Sequence, residues 1–588
     1  MVFPALGDFL RYLESKGELR RIKVQVDPRL EVTQIAVRAL REEKPALLFE
    51  NVKGSQFPLA VNVYASARRI NMALGKDPEE IGRELIDFAD SIIPPKVSTL
   101  WRKRTMIARA LSARQAMVSS AISQEVVPQL SFDDLPIQVC WPKDGGRFVT
   151  QGQVVTYDPD DGKRNIGMYR MHVFGPHETG MHWQIQKGGG FHYYKAEQGR
   201  RNLEVAVALG TDPALLFASI AALPEGFDEA VFAAFLRGSP TKFVKGSSVA
   251  IPVPAAAEFI LEGIVPAEER RMEGPFGDHF GHYSHASPFP VFHLQRITHR
   301  KNPVYPATVV GIPPMEDKFL GDATQRILGP LARLIHKEVR DIWAYYEAGF
   351  HNLLVVSVEE RYHKEAMKAA FGLMGTGQLS LTKCLILVSE HINPRSWKEV
   401  LKEIRENFDP HFDFVLLPKV PLDTLDFTSY TMELGSKMIL DATRKQRERQ
   451  NAKKNRFDGK SIRSVDRRIL DAELVDDSLL LVKVSGAGRK VIEKLVRRKE
   501  LQHLKIVAAV SDDVDIRNEE NYLWGVFTRF DCERDVVFTS QDLIGISPVY
   551  KGVMGIDATW KKGYPGALVM DENIVRMVDR RWNEYWKD

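Results

Sequence analysis

The richest segment for chemistry is Arg271-Met-Glu-Gly-Pro-Phe-Gly-Asp-His-Phe-Gly-His-Tyr, in which Glu273 and Asp278 flank a Gly-Pro-x-Gly turn. Such a turn can bring two carboxylates to one cleft, where mutual repulsion lets one keep its proton near neutral pH and act as a general acid. Turn chemistry with surface charge is the plain alternative. His279, His282 and His285 recur every third residue, a spacing that invites zinc. Gly281 interrupts them, however, and no helical face is obliged to gather them, so hydrogen-bonded structural histidines are the simpler reading.

Upstream, Asn165-Ile-Gly-Met-Tyr-Arg-Met-His has the alternation of a strand, with Asn165, Gly167 and Tyr169 on one face and Met168 and Arg170 on the other. A buried Arg170 needs a carboxylate partner. It could hold a substrate carboxylate by a bidentate contact, depress the pKa of a neighbouring Glu, or make an ordinary salt bridge. Met181-His-Trp-Gln-Ile-Gln-Lys-Gly-Gly-Gly ends in three glycines whose backbone N–H groups can approach an anion beside Lys187, or which simply form a flexible hairpin. Neither Gly372-Leu-Met-Gly-Thr-Gly nor Ser485-Gly-Ala-Gly-Arg fits the dinucleotide-binding fingerprint, and there is no Walker loop and no G-x-S-x-G elbow.

The elements that must position these residues fall into α/β and β-rich stretches. Residues 1–119 alternate helical patterns such as Glu31 to Arg41 and Pro78 to Ile93 with short apolar runs such as Ala46 to Phe49 and Leu59 to Val63, an α/β module. Residues 120–315 read as a mainly β, barrel-like domain through Gln153 to Tyr157, Gly167 to Phe174 and Phe243 to Ile251. Residues 316–445 return to α/β, with Leu353 to Val358, Cys384 to Val388 and Phe414 to Leu417 as buried strands. Residues 446–468 are crowded with Lys and Arg and read as a basic linker rather than an anion site.

Residues 469–588 repeat the preceding α/β unit in degenerate form. Val388-Ser-Glu-His-Ile-Asn, Phe408-Asp and Asp413-Phe-Val run without a gap against Val510-Ser-Asp-Asp-Val-Asp, Phe530-Asp and Asp535-Val-Val, with Lys383 opposite Lys505. Gly435-Ser-Lys-Met-Ile-Leu-Asp-Ala-Thr then answers Lys551-Gly-Val-Met-Gly-Ile-Asp-Ala-Thr. The simplest use for such a tail is assembly rather than chemistry.

At 588 residues the chain is long enough for three or four domains. A hydrophobic fraction of 44% and a charged fraction of 27% are those of a globular protein, and a net charge of +4 is too weak for a nucleic-acid footprint. Three scattered cysteines, Cys140, Cys384 and Cys532, suit a reducing cytoplasm better than a disulfide framework. The charged start argues against a signal peptide, and no apolar run reaches the ~18 residues of a membrane span.

Taken in order and spacing, Asn165-x-Gly-x-Tyr-Arg, Lys187-Gly-Gly, Glu229 followed by Phe232-Ala-Ala-Phe-Leu-Arg-Gly, Ala257-Glu-Phe-Ile-Leu-Glu-Gly, Glu273-Gly-Pro-Phe-Gly-Asp-His and Gly435-Ser-Lys-Met-x-x-Asp-Ala-Thr resemble the UbiD decarboxylase family from about Met1 to Lys445. The resemblance implies an α/β chain with a central split β-barrel that binds prenylated FMN, an N-terminal α/β domain and a C-terminal α/β oligomerisation domain. It implies a carboxy-lyase that removes carbon dioxide, reversibly and without oxidation, from an aromatic or α,β-unsaturated acid.

Carried over by residue, the resemblance makes Asn165 and Glu229 ligands of a divalent metal, usually manganese, with potassium as an optional second cation. Gln186 stands where a histidine ligand is common, and its amide oxygen can still meet a hard cation. Met168, Tyr169, Arg170, Gln186, Lys187, Gly188, Ser219 and Glu229 become cofactor contacts and Lys383 a phosphate contact. Arg170, Glu273 and Asp278 become the catalytic set, with Asp278 the proton donor. A UbiX-like flavin prenyltransferase would supply the cofactor to a cytoplasmic homo-oligomer. The repeated tail and Val388-Ser-Glu-His-Ile-Asn-Pro resemble the long decarboxylases of futalosine-route menaquinone biosynthesis, which implies a dihydroxynaphthoate-type acid. Decarboxylation of another aryl or heteroaryl acid is the alternative within the family, and two rivals stand outside it: a flavin-binding assembly protein without catalysis, and a metal-dependent hydrolase built on the His279 cluster.

Overall fold

Val32, Ile35, Ala36, Ala39 and Leu40 recur at the spacing of one helical face, and Glu31–Arg41 is an α-helix that buries them. The computed structural model describes residues 3–92, 115–184, 187–429, 431–445 and 459–587. They fall into two units, Met1–Leu328 with Ala567–Asp588, and Gly329–Gly566.

In the first unit a four-stranded sheet runs in the order Leu19–Ile22, Ala46–Phe49, Leu59–Val61 and Tyr305–Pro306. The last of these strands comes from beyond the barrel, so the N-terminal module is completed by residues outside 1–119. The barrel closes through six strands: Phe148–Tyr157, Arg164–Gly175, Glu178–Gly180, Ser287–His299, Phe259–Val265 and Leu203–Leu209. A seventh, Arg270–Glu273, pairs antiparallel with Ser287–His299 and carries Glu273 at its end. Alternation sets the faces of the Arg164–Gly175 strand, whose Asn165 lies opposite Thr156 and Tyr169 opposite Gly152 on its neighbour.

Glu258 joins the N-terminal helix Leu6–Ser15 to the barrel from a fully buried position. Its carboxylate accepts from Gly7 N at 2.8 Å, Val304 N at 2.9 Å and Arg300 Nη1 at 3.1 Å. These donors replace the water it has lost.

The second unit holds two five-stranded sheets of the same order. In the first, the sequence is Val339–Ala344, Leu353–Val358, Cys384–Ser389, Leu434–Asp441, Phe414–Pro421; in the second, Ile469–Val475, Leu479–Val484, Ile506–Val510, Ser547–Ala558, Val536–Ile544. The repeat read in the sequence is therefore a repeat of topology, strand for strand. Leu353–Val358, Cys384–Ser389 and Ile506–Val510 are buried at every position, as strands covered on both faces should be. Of the basic stretch, residues 446–458 lie outside the described residues, and Gly459–Arg463 is a short helix with Ile462 buried. Among the described residues no helix is long and apolar enough to cross a membrane.

The expected second α/β copy does not keep its whole tail. Residues 567–588 rejoin the first unit, where the helix Glu572–Tyr585 packs on Glu31–Arg41. Arg38 lies 4.0 Å from the Trp582 ring and pairs with Asp579 at 2.7 Å. Glu31, buried, accepts from Tyr585 Oη at 2.8 Å and from Arg581. Trp582→Ala should cost about 3 kcal/mol, the low end of a buried Trp truncation because Trp582 sits at the edge of the packing. Thermal unfolding should then begin several degrees earlier; an unchanged onset would mean the helix adds nothing to the unit.

Candidate active site

Arg170 projects from the barrel strand into a group of acids and histidines. Its Nε lies 2.9 Å from Glu273 Oε1, its Nη1 contacts Asp278 Oδ2, and its Nη2 lies 3.3 Å from Ser284 Oγ. His182 Nδ1 meets the same Glu273 Oε1 at 3.0 Å, and His279 Nδ1 meets Asp278 Oδ1 at 2.7 Å. The result is a chain His182–Glu273–Arg170–Asp278–His279. Burial alone would raise both carboxyl pKa values, but the charges on His182 and Arg170 bring Glu273 down to about 2. Burial likewise opposes ionisation of Asp278, and Arg170 with His279 overcomes it and holds that carboxyl well below its ordinary range.

Asp278 sits in a tight hairpin that the chain grips from two sides. Asp278 N donates to His282 O at 3.0 Å and Gly281 N to Asp278 O at 2.9 Å. On one side, Asp144 accepts from Gly277 N at 2.8 Å and from Trp141 N at 2.8 Å, while burial pushes its carboxyl up to about 6. A Cβ on Gly145 would stand 2.3 Å from Gly274 O, so only glycine allows this approach. On the other side, Leu568 N donates to Gly281 O at 3.0 Å, and Ala567 pairs antiparallel with His282. The tail read as an assembly element thus also braces the acid hairpin, so cutting the chain beyond Lys445 would remove part of the site's support.

The histidines do not converge as a zinc reading requires. His279 turns to Asp278, His282 Nδ1 to Phe280 O at 2.7 Å, and His285 is exposed. Among the described residues no group of three or more His, Cys, Asp or Glu side chains is arranged to hold a metal ion.

A second cluster forms around Asn165 and Glu229. Asp228 caps the helix Glu229–Arg237 by accepting from Ala230 N at 2.8 Å, which fixes Glu229 in its first turn. Arg164 bonds Asp228 at 2.6 Å, and Ile166 N donates to Glu229 Oε2 at 2.9 Å, so Asn165 is flanked on both sides by residues tied to this helix start. Burial pushes the Glu229 carboxyl up to about 7, a position in which a cation would be needed to keep it ionised. The glycines of the Lys187 block open the helix Gly188–Gln198, with Lys187 as its N-cap residue, so the hairpin alternative does not hold. A Cβ on Gly188 would stand 2.1 Å from Asn165 Oδ1. Asn165 Nδ2, His182 Nε2, Trp183 Nε1 and Glu273 Oε2 are buried with no hydrogen-bond partner among the described residues. Buried polar atoms left in this state fit the walls of a ligand site. The set therefore suits a polar cofactor and a cation.

Of the other expected contacts, Tyr169 Oη accepts from Gly189 N at 3.3 Å on the Asn165 face, and Met168 packs on the opposite, apolar face of the strand. Ser219 is buried, donating to Leu216 O at 2.8 Å. Gln186 lies outside the described residues. Lys383 belongs to the second unit, where it is fully buried, with its ammonium 2.8 Å from Asp426 and donating to Phe530 O at 3.0 Å. A phosphate contact would have to break that buried pair, which answers the charge already. Reading the sequence passed over His182, Asp144, Ser284 and Leu568. The His182-Trp pair just ahead of the glycines and Asp144-Gly-Gly were the available signals.

Family models match the chain in three parts: a 3-octaprenyl-4-hydroxybenzoate carboxy-lyase N-terminal domain over residues 10–89, the Rift-related domain over 114–313, and the C-terminal domain over 318–442 and 478–558. The chain belongs to the UbiD family. It is a UbiD carboxy-lyase, and the C-terminal domain match takes in the first α/β copy of the second unit and the second copy from residue 478 onward. A relative from Archaeoglobus fulgidus is 45% identical over 76% of this chain and 93% of its own. A Chlamydia pneumoniae protein, named as one of the subunits of a 4-hydroxybenzoate decarboxylase, is 35% identical over 97% of both chains. Among solved structures, the closed form of Sedimentibacter hydroxybenzoicus vanillic acid decarboxylase superposes with a TM-score of 0.68 at 26% identity, covering 78% of this chain and 97% of that one. The UbiD-class enzyme HmfF from Pelotomaculum thermopropionicum, in complex with FMN, gives 0.62 at 26% identity, covering 79% and 99%.

Because Glu273 is depressed from 4.5 to about 2, its contribution to stability is full above pH 4.5 and is lost as pH falls towards 2. At 1.36 kcal/mol per pKa unit this is on the order of 3 kcal/mol. Glu273→Gln should therefore be less stable than the parent at neutral pH, with the gap closing across that acid window. Urea unfolding at a series of pH values reads this, and a gap of constant size would disprove the linkage.

Proposed function

We propose that this UbiD protein decarboxylates an aromatic or α,β-unsaturated carboxylic acid with prenylated FMN, reversibly and without net oxidation. The buried chain from His182 to His279, centred on Arg170, is the observation that carries the reading. A guanidinium shared by two acids inside a barrel is suited to receive a carboxylate and to regulate a proton donor. The Chlamydia pneumoniae relative, the vanillic acid decarboxylase, and an evolved dimeric HmfF in complex with prFMN support an aryl acid and that cofactor. Within the aryl acids, the resemblance of the repeated tail and of Val388-Ser-Glu-His-Ile-Asn-Pro to the long decarboxylases of futalosine-route menaquinone biosynthesis favours a dihydroxynaphthoate-type acid. A UbiX-like prenyltransferase would supply the cofactor, and the working form would be a cytoplasmic homo-oligomer.

When bound, prenylated FMN supplies the electron sink for the carbon from which carbon dioxide departs. Asn165 and Glu229, with Gln186 as a further candidate ligand, would hold a divalent cation, manganese for preference, that serves the cofactor phosphate. Potassium would be a second cation of the same site. Tyr169, Lys187, Gly188 and Ser219 would line the cofactor, with Met168 contributing its backbone while its side chain packs on the apolar face.

The rest follows from the charge on Arg170. Before substrate binds, Arg170 keeps Asp278 ionised, and so unable to donate. A substrate carboxylate entering beside Arg170 takes up part of its charge. Asp278 then loses its main source of acidity, and burial drives it to bind a proton. Glu273, still held by His182, keeps the guanidinium in register. When the carboxylate leaves as neutral carbon dioxide, Asp278 delivers its proton to the same carbon, so the acid R–COO⁻ and one proton become R–H and CO₂.

Asp278→Asn should retain the flavin and lose about 10²–10⁴-fold in turnover, the usual worth of a positioned acid. Decarboxylation rate and deuterium incorporation into product should fall together, and near-normal values of both in flavin-loaded protein would remove Asp278 from this role. Asn165→Ala and Glu229→Ala should each fold yet purify with little flavin or metal, because each lacks one oxygen ligand. Flavin absorbance and metal analysis at wild-type levels in both variants would overturn the cation assignment.

A further inference from the structure

Each decarboxylation consumes one proton, and the site must replace it. Within the chain His182–Glu273–Arg170–Asp278–His279, solvent reaches the side chains very unequally. Glu273 is closed at 0% exposure, His182 at 6% and Arg170 at 9%; Asp278 reaches 11%, and His279 stands out at 24%. The Nδ1 of His279 is 2.7 Å from Asp278 Oδ1, the carboxylate oxygen that Arg170 does not take. Arg170 cannot serve as an alternative source, because a guanidinium does not give up its proton in a protein.

We propose that His279 is a catalytic proton relay that reloads Asp278 after every turnover. The proposal rests on Asp278 being the donor to carbon. In the relay, His279 Nε2 takes a proton from water while the Nδ1 proton passes to Asp278 Oδ1. The imidazole stays neutral and changes tautomer; it regains the starting form when the ring turns its bare Nδ1 to solvent, takes a proton there as Nε2 releases one to water, and turns back. One proton enters from solvent and one reaches the carboxylate, so no other reactant is needed. Histidine is suited to this because its two nitrogens exchange protons near neutral pH. The backbone amide of His279 also donates to Asp278 Oδ1 at 2.7 Å, which keeps acid and relay in register while the ring moves.

Two variants of the flavin-loaded enzyme test this. His279→Asn sets an amide nitrogen where Nδ1 stood, preserving a hydrogen bond but not a relay; His279→Ala leaves room for a free imidazole. Both should keep flavin content and KM, and lose about 10²-fold in kcat in dilute non-imidazole buffer, the lower range for a positioned proton transfer. Added imidazole should restore turnover of His279→Ala in proportion to its concentration and leave His279→Asn slow. In the flavin-free wild type, ¹⁵N-histidine NMR should show a hydrogen-bonded proton on Nδ1 of His279 that is altered in Asp278→Asn. Turnover of either variant within twofold of wild type in dilute buffer would overturn the relay, as would a loss in His279→Ala that imidazole does not lift, or a bare Nδ1. If Asp278→Asn itself turns over normally, the donor assignment fails and takes the relay with it. If Asp278→Asn is inactive while the His279 variants are not, the relay alone fails.

Discussion

A guanidinium inside a β-barrel is the constraint from which the site is built. Removing Arg170 from water costs several kcal/mol, and the cost is met only if carboxylates reach it with good geometry. Glu273 arrives from the strand paired to Ser287–His299 and Asp278 from the hairpin that follows, so the barrel register, the edge strand and the hairpin must all be correct together. The dependence is mutual. Without Arg170, Asp278 would lose its main counter-charge and Glu273 would be left with His182 alone, so the proton inventory of the site would change.

What was legible in the sequence follows how local each interaction is. Glu273 and Asp278 lie five residues apart around a turn, and the turn residues declare themselves. Arg170 could be read as a buried strand cation in need of an acid, but not which acid, since its partners lie more than a hundred residues on. His182 meets Glu273 across 91 residues and has no periodicity to betray it. For Asn165 and Glu229 only the family resemblance spoke; the structure adds the local reason, the Arg164 to Asp228 pair that ties strand to helix start. The same resemblance made Lys383 a phosphate contact, and the pair it makes with Asp426 could not be read from the sequence at all.

The doubled α/β unit shows how far a fold can be kept while its interior chemistry drifts. Strand order is identical in the two copies, and self-alignment of the sequence was enough to find them. Yet the lysines that stand just before the matching strands answer burial differently. Lys383 has Asp426 at 2.8 Å and its pKa is raised against the effect of burial. Lys505 is lowered, because burial outweighs the more diffuse pull of Asp409 and Asp413. Topology is set by many apolar contacts and tolerates such changes; a charge pair is set by two residues and does not.

The pairing of Ala567 and Leu568 with the hairpin of Asp278 has a consequence for synthesis. The brace is encoded about 290 residues after the acid it steadies, and the whole second unit is inserted between them. At about 5–20 residues per second, a ribosome needs roughly 15–60 s to make that stretch. Throughout this time the barrel can be folded while its acid loop lacks one wall. The hairpin therefore lacks this wall until residues 567 and 568 have been made, and a message truncated anywhere in the second unit yields a barrel without a finished catalytic loop.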